Sequence, residues 1–195
     1  MRDSLDQPCF QKTVFMNEDR VRLMHYDPRW RQEFEQTRSS ILHSCEGWVT
    51  AVDHIGSTAI SGLIARPTID VVATVQDDDS LEPAACLIQG LNYGRTQSPA
   101  WASEVVSLVK PRHALIAQTD PTHHVLLVVQ GSSVWTRVIR IRDWLRSRGE
   151  TAIRFEEAKV ARWRSGEGDL VSYQAAKALF FAHLEDQIEA DQRRQ

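Results

Sequence analysis

A glycine–serine step followed by an isolated acid among branched aliphatic residues carries the clearest chemical content in this sequence. Gly56 and Ser57 end one apolar run, and Asp70 lies inside the next, between Ile69 and Val71. A glycine lets backbone N–H groups approach an oxygen-rich ligand closely, and the serine hydroxyl adds a contact, so this step could seat a phosphate. Asp70 could hold a divalent cation beside it, since Mg²⁺ commonly bridges a protein carboxylate and substrate phosphates.

The position of Asp70 needs an explanation because an uncompensated carboxylate is costly to bury. Strand alternation would send Asp70, Val72 and Thr74 to one face of a sheet. The alternative to a ligand site is a structural turn with a hydrogen-bonded aspartate. His54, directly before the turn, has two similar interpretations: a base or phosphate-binding group, or a hydrogen-bonded structural histidine at a strand end.

Two runs rich in β-branched residues predict the strands that hold the turn. They are "WVTAVDHI" before it and "TIDVVATV" after it. Upstream, Asp27 and Pro28 predict the start of an amphipathic helix, which ends near Gly47. The turn itself, "GSTAISGL", leads into a short helix or loop.

The rest of the chain predicts an α+β fold. Further strand candidates are "EVVSLVK" and "HALIAQ", joined by Pro111, and "THHVLLVVQG". One helix is predicted over "DDDSLEPAACLIQGL", capped by Asp79 or Ser80 and closing near Gly90. After Gly131 the helical segments are "SSVWTRVIRIRDWLRSR", "TAIRFEEAKVARWRS" and "DLVSYQAAKALFFAHLEDQIEA". Ser132 or Ser133 is the predicted cap of the first of these, and Asp169 is the predicted cap of the last. We expect a mixed sheet of about five strands with an N-terminal helix and a C-terminal helical cluster across its open face.

Length and composition favour one domain, at most two small ones. The 195 residues are 42% hydrophobic and 25% charged, which is typical of a globular chain. Residues 1–20 are polar and unpatterned and predict a loosely ordered tail, so the domain is expected over residues 21–190. The formal net charge of -3 gives no overall attraction to nucleic acid or to an anionic membrane.

Cysteine usage and hydropathy favour the cytoplasm. Cys9, Cys45 and Cys86 form no CxxC pair, which argues against a disulfide framework and against a thiolate zinc site. The N-terminus lacks the apolar run of a secretory signal, and no window approaches the roughly 18 apolar residues that span a bilayer. The sequence therefore predicts a soluble cytoplasmic protein without a membrane partner.

The stretch around the turn resembles a known family hallmark. "HIGSTAISGLIARPTIDVV" is similar to the HIGSTAVxGLxAKPxIDI hallmark of the GrpB family. The likeness extends over residues 21–190 through "YDPRW", "THHVLLV", "RDWLR", "FEEAK" and "YQAAK". GrpB proteins resemble the nucleotidyltransferase superfamily, with its DNA polymerase β-like fold. Members of that superfamily place a GS turn before a DxD or DxE pair, and with a third acid these carboxylates hold two metal ions.

The resemblance implies a nucleotidyltransferase-like protein that binds a nucleoside triphosphate or another phosphorylated small molecule with Mg²⁺. It also implies transfer of a nucleotidyl group to an unknown acceptor, while nucleic acid is not an expected partner. Gly56, Ser57 and Asp70 match the pattern, but Val72 occupies the second acid's position and Leu126 replaces a histidine of the family's THHLHLV form. A complete two-metal site is therefore not expected. One carboxylate with triphosphate oxygens and water could still seat a single Mg²⁺.

Residues on other elements complete the predicted site. Arg66 stands where the family has lysine and could pair with a phosphate or with Asp70. His123 and His124 face opposite sides of their strand, and His124 is placed on the cleft side. The predicted set comprises Asp70 as metal ligand and catalytic residue, His54 as catalytic residue, and Gly56, Ser57, Thr58, Arg66, His124, Arg142, Lys159 and Lys177 as nucleotide or phosphate ligands.

Three of these cations have surface alternatives. Arg142 belongs to the family's RD step with Asp143, and the alternative is a solvated helix face on which the two residues pair. Lys159 and Lys177 each lie four residues after an aromatic residue, which puts both side chains of each pair on one helix face. They could supply phosphate-binding charge or be ordinary surface lysines.

Two rival functions remain open at this point. A noncatalytic binding or accessory module is favoured by Val72, and GrpB-like domains fused to dephospho-CoA kinase imply a link to CoA or nucleotide metabolism. A hydrolase using Ser57 with His54 and Asp70 is the third option, although the GxSxG pattern of a nucleophile elbow is absent around Ser57.

Overall fold

The computed structural model describes residues 22–117, 119–165, 184–190 and 193. The strands are β1 Val49–Ile55, β2 Ile69–Val75, β3 Gly94–Thr96, β4 Val106–Lys110 and β5 His123–Val129. The helices are α1 Arg29–Ser44, α2 Leu81–Gly90, α3 Ala114–Ala117, α4 Ser133–Ser147 and α5 Gly149–Ser165, and residues 184–190 are helical as well. Single 3₁₀ turns cover Ser57–Ala59, Asp78–Ser80 and Ala100–Ala102.

The five strands form one mixed sheet in the order β1-β2-β5-β4-β3. The pair β2–β5 is parallel, and the other pairs are antiparallel. The predicted α+β class, the five-strand mixed sheet and the helices at both ends are thus confirmed. Because β2 and β5 are adjacent and parallel, residues near the start of both strands come together at one end of the sheet.

One predicted strand is wrong. "HALIAQ" contains the short helix α3, and the fifth strand is instead the three-residue segment Gly94–Thr96, which pairs with β4. A short apolar run does not distinguish helix from strand by periodicity. The sequence "GRT" of β3 has no apolar run at all, so only its pairing with β4 defines it as a strand.

Both faces of the sheet are covered by helices. On one face, Val71 of β2 packs in a core with Phe34 of α1 and Ile88 of α2. On the other face, Val72 of β2 packs with Val134 of α4. Strand β2 is thus buried on both faces along its length except at Asp70.

The predicted helix boundaries are close to those observed. Asp27 accepts a hydrogen bond from the backbone N–H of Arg29 at 2.9 Å, and Ser132 accepts one from the N–H of Trp135 at 3.3 Å. Ser80, one of the two predicted caps, is the N-cap residue of α2, although its side chain makes no capping hydrogen bond. The preceding 3₁₀ turn is capped by Asp77, which accepts from the N–H of Ser80 at 3.0 Å. The predicted tail 1–20 and the predicted cap Asp169 lie outside the described residues.

No helix within the described ranges is both long and apolar enough to cross a bilayer.

Candidate functional site

The turn after β1 ends directly beside Asp70. Ile55, the last residue of β1, pairs with Asp70 of β2, and Gly56 follows with φ 72° and ψ -172°. This backbone conformation is essentially restricted to glycine. A β-carbon on Gly56 would stand only 2.6 Å from Oδ2 of Asp70. Both the backbone angles and the closeness of the carboxylate therefore require glycine at this position.

Asp70 and His124 are neighbours across the parallel pair β2–β5. Asp70 Oδ1 lies 3.3 Å from His124 Nδ1, and the side chains are 26% and 27% exposed. The predicted placement of His124 on the same side as Asp70 agrees with this geometry. Because about a quarter of each side chain remains open to solvent, a ligand can reach the pair without unfolding the sheet.

Ser107 of β4 continues this polar row and was not singled out in the sequence. Its Oγ lies 2.8 Å from His124 Nε2, and Ser107 itself is 2% exposed. Both ring nitrogens of His124 thus have protein neighbours, Asp70 on one side and Ser107 on the other. The only sequence signal was a single hydroxyl inside the apolar run "EVVSLVK".

The position of the family's second acid, Val72, and the position of its histidine, Leu126, are both apolar and buried. Val72 pairs with Leu126 across β2–β5, and they are 0% and 3% exposed. In the part of the chain that the structure describes, no group of three or more histidine, cysteine, aspartate or glutamate side chains could hold a metal ion. The hard oxygen of Asp70 fits a single Mg²⁺ completed by water and phosphate oxygens, but the donor set does not fit a two-metal centre.

The two hydroxyl residues of the turn differ in their environments. Ser57 is half-buried, and its hydroxyl makes no hydrogen bond within the described ranges. Thr58 is buried, donates to the carbonyl of Thr68 at 3.1 Å and lies 3.0 Å from His54 Nε2. Ser57 is therefore available to a ligand, whereas the hydroxyl of Thr58 is committed to holding the turn.

His54 lies on the face of the sheet opposite Asp70, because it pairs with Val71 one position along the strands. Its ring stacks on Phe34 with centroids 4.7 Å apart and an interplanar angle of 9°. Burial lowers the pKa of His54 to about 4, while the negative charge of Asp70 acts in the opposite direction. The structure therefore does not bring together His54 and Asp70, as joint catalysis or the hydrolase alternative would require.

Arg66 is directed to the segment before β5. Its Nε donates to Thr68 Oγ1 at 3.2 Å, and its Nη1 lies 3.6 Å from Asp120 Oδ1. The sequence left two partners open for Arg66, a phosphate or Asp70. The carboxylate that Arg66 contacts in the structure is Asp120 and not Asp70.

Arg142 joins α4 to β1. Its Nη1 donates to Asp53 Oδ1 at 3.1 Å and to the carbonyl of His54 at 3.3 Å, and its Nε donates to Asp143 Oδ1 at 2.8 Å. Its side chain is 11% exposed. Arg142 is therefore neither on a solvated face nor beside Asp70, because its donors hold two carboxylates and one carbonyl.

Lys159, one of the two predicted lysines, is not a surface residue. Lys159 of α5 is 5% exposed, donates to the carbonyl of Ile64 and lies 5.3 Å from the ring centroid of Phe155. It thus contacts the loop between the turn and β2. Lys177 lies outside the described residues.

A cleft of about 830 Å³ lies next to this region, between α1, the turn after β1, and helices α4 and α5. We call it the α1–α4 cleft. Its lining includes Phe34, His54, Arg142 and Arg146, but neither Gly56 nor Asp70. The carboxylate site and the α1–α4 cleft are therefore two separate features.

Comparison with known proteins gives a family match over most of the chain. The sequence model of the family described as "GrpB protein" matches residues 20–187. A UPF0157 protein of Halalkalibacterium halodurans is 28% identical over 128 residues, covering 65% of this chain and 61% of that protein. The chain thus spans less than two thirds of this relative's length.

Two further similarities concern a kinase and a solved structure. A dephospho-CoA kinase of Mycobacterium tuberculosis is 27% identical over 180 residues, covering 83% of this chain and 44% of the kinase. The crystal structure of the conserved protein GrpB from Enterococcus faecalis matches with a TM-score of 0.74 at 21% identity, covering 86% of this chain and 96% of that chain. At this identity the structural match shows a common fold.

Proposed function

The chain belongs to the GrpB family, and from this premise we propose that it is a nucleotidyltransferase-like protein that binds a nucleoside triphosphate or another phosphorylated small molecule together with one Mg²⁺. The observation that carries the proposal is the contact between the glycine-only turn and a partly exposed carboxylate. Gly56 leaves room for Asp70 Oδ2, and Ser57 adds a hydroxyl that is not engaged within the described ranges.

The donor set supports binding better than nucleotidyl transfer. Two-metal transfer needs carboxylates that hold both ions on either side of the reacting phosphate. Here Val72 and Leu126 are buried aliphatic residues beside Asp70 and His124. Bound Mg²⁺ would neutralise phosphate charge, while Asp70 holds the ion and His124 and Ser107 fix the position of the carboxylate.

Thermal unfolding tests the proposal. We expect Mg-ATP, or another magnesium triphosphate, to raise the Tm, because a ligand at 100 times its Kd stabilises the folded state by about 2.7 kcal/mol. For a chain of this size that is a shift of several degrees. Mg²⁺ alone, and ATP with EDTA, should give smaller shifts.

Two matched substitutions make the test specific. Asp70→Asn keeps the side-chain shape beside Gly56 but removes the charge, so the shift should disappear. Asp78→Asn removes an exposed carboxylate from the 3₁₀ turn after β2 and should leave the shift intact. No shift with any triphosphate would refute triphosphate binding, and an undiminished shift in Asp70→Asn would refute the assignment of the site to Asp70.

An accessory module in CoA metabolism is a second candidate, favoured by the match to the dephospho-CoA kinase. The matched region is less than half of that kinase, which is what a module joined to a separate kinase part would give. Dephospho-CoA and CoA in the same thermal assay distinguish the candidates. A larger shift with these ligands than with magnesium triphosphates, together with no pyrophosphate release, would favour the accessory module.

A further inference from the structure

The α1–α4 cleft has the size of a small-molecule site and is not used by the proposed function. Its volume of about 830 Å³ falls within the range of roughly 300–1,000 Å³ typical of ligand pockets. Since Gly56 and Asp70 are not in its lining, a ligand there would not occupy the carboxylate site.

Two arginines of the lining lack a carboxylate in contact within the described part of the chain. Arg146 of α4 donates through Nε and Nη2 to the carbonyl of Ala59, at 3.1 and 3.0 Å, which positions the guanidinium without neutralising it. Arg31 of α1, on another wall, is exposed and makes no side-chain hydrogen bond or ion pair with any described residue. Arg142 differs, because Asp53 and Asp143 both bind it.

The lining holds three acids for its three arginines, but none of the acids forms an ion pair with Arg146 or Arg31 among the described residues. Asp53 is paired with Arg142, and Glu35 lies 3.6 Å from Arg38 on α1. Glu156 of α5 is the remaining acid. Burial lowers the pKa of Arg146, and the charge of Arg142 acts in the same direction, while the charges of Asp143 and Asp53 act in the opposite direction.

The rest of the lining is apolar or uncharged. Phe34 and the stacked ring of His54 form one part, and His54 is neutral at pH 7 because its pKa is about 4. Ile60 and Leu145 form another, together with Ile153 of α5, which is 55% exposed. Aromatic and branched aliphatic side chains on these walls can bury the body of a ligand.

We propose that the α1–α4 cleft is a second binding site, for a small molecule that carries one anionic group, a carboxylate or a phosphate, on an aromatic or branched apolar body. Arg146 and Arg31 contact the anionic group, and the walls around Phe34 and Ile153 contact the apolar body. Arg146 suits this role because its fork is already oriented by the carbonyl of Ala59, so little further ordering is needed on binding.

Calorimetric titration with 1-naphthyl phosphate, 1-naphthoate, 1-naphthol and inorganic phosphate tests the proposal. We expect the two naphthyl anions to bind more tightly than naphthol, which lacks the charge, and than inorganic phosphate, which lacks the apolar body. The relative affinities of 1-naphthyl phosphate and 1-naphthoate show which anion the arginines prefer. Equal affinity for inorganic phosphate and the naphthyl anions would overturn the proposal.

Three substitutions locate the site. Arg146→Gln and Arg31→Gln should each weaken binding of the naphthyl anion about tenfold, the loss of one charge-assisted hydrogen bond. Arg154→Gln, which removes an exposed charge from α5 outside the lining, should change nothing. The Arg31 side chain is exposed and makes no hydrogen bond or ion pair with any described residue, so its variant decides the matter even if Arg146→Gln is unstable. Unchanged affinity in Arg31→Gln would overturn the proposal.

Asp70→Asn separates this inference from the proposed function. The variant should lose the shift with magnesium triphosphate and keep its affinity for 1-naphthyl phosphate. If Asp70→Asn instead abolishes binding of the naphthyl anion, that ligand occupies the carboxylate site, and the α1–α4 cleft is not a separate site.

Discussion

The α-carbon of Gly56 lies against the carboxylate of Asp70, so closely that a β-carbon would stand 2.6 Å from Oδ2. Asp70 is the only residue of β2 that is not buried. The conformation of the turn and the position of this carboxylate therefore depend on each other. A ligand that reaches the partly exposed carboxylate of Asp70 would therefore lie beside the turn.

Gly56→Ala should therefore be more damaging than another substitution at positive φ. Gly131 also has a positive φ, of 77°, but a β-carbon there would meet nothing within 4 Å. We expect Gly131→Ala to lower the free energy of unfolding by about 1–2 kcal/mol, from backbone strain alone. Gly56→Ala should lower it by about 3 kcal/mol or more, because the contact with Asp70 adds to the strain.

Urea unfolding of both variants measures this difference. If Gly56→Ala and Gly131→Ala lower the free energy of unfolding equally, the carboxylate of Asp70 moves away from the new β-carbon at no cost in stability. In that case the closeness of Gly56 and Asp70 would not define the site.

The pKa of His54 predicts a loss of stability in acid. Burial lowers it from 6.5 to about 4. Between these values the unfolded chain binds a proton at this histidine and the folded chain does not, so stability falls as the pH falls from 6.5 toward 4. At about 1.4 kcal/mol for each pKa unit, the full loss is roughly 3 kcal/mol.

Urea unfolding between pH 7 and pH 4 measures this slope. His54→Gln should reduce the slope, although it also lowers stability at pH 7 by removing the stacking on Phe34. His123, whose pKa burial also lowers to about 4, should contribute its own part, which His123→Gln removes. An NMR titration that places the pKa of His54 near 6.5 would contradict the prediction.

Much of this site follows from local sequence patterns, and the rest depends on long-range register. Alternation along β2 and β5 correctly separates Asp70 from Val71 and His124 from His123. The same alternation, extended across β1, would have put His54 on the other face from Asp70. That inference needs the pairing of Ile55 with Asp70, which no local pattern supplies.

Contacts between distant segments were the least predictable. Arg142 and Asp53 are 89 positions apart, and the sequence offered only the neighbouring Asp143 as a partner for Arg142. Ser107 gave no motif either, because a buried serine in a strand looks the same whether or not a histidine lies beside it. Strand β3 exists only through its pairing with β4.

The contacts of Arg142 predict that lysine cannot replace it. Arg142→Lys leaves one ammonium group to serve Asp53, Asp143 and the carbonyl of His54, which lie on two elements. Since Asp53 is partly exposed, we expect a loss of about 1–3 kcal/mol in the free energy of unfolding, below the range for a fully buried pair. Asp143→Asn, at a side chain that is 55% exposed, should cost less than about 0.5 kcal/mol.

Urea unfolding at low and moderate salt distinguishes these variants. If Asp143→Asn costs as much as Arg142→Lys, the stability comes from the neighbouring pair on α4 and not from the link between α4 and β1.

Restoring an acid at position 72 should unfold the protein instead of building a metal centre. Val72 is fully buried and packs with Leu126 and with Val134 of α4, so the aspartate of Val72→Asp would be an unpaired buried carboxylate. We expect a loss of more than about 3 kcal/mol at pH 7, against about 2 kcal/mol for the cavity left by Val72→Ala. The loss should be smaller near pH 4, because burial favours the protonated acid.

Urea unfolding of both variants, with and without Mg²⁺, decides the matter. Recovery of the stability of Val72→Asp by Mg²⁺, with no such effect on Val72→Ala, would show that Asp70 and position 72 can hold an ion together, and would reopen two-metal chemistry for this fold.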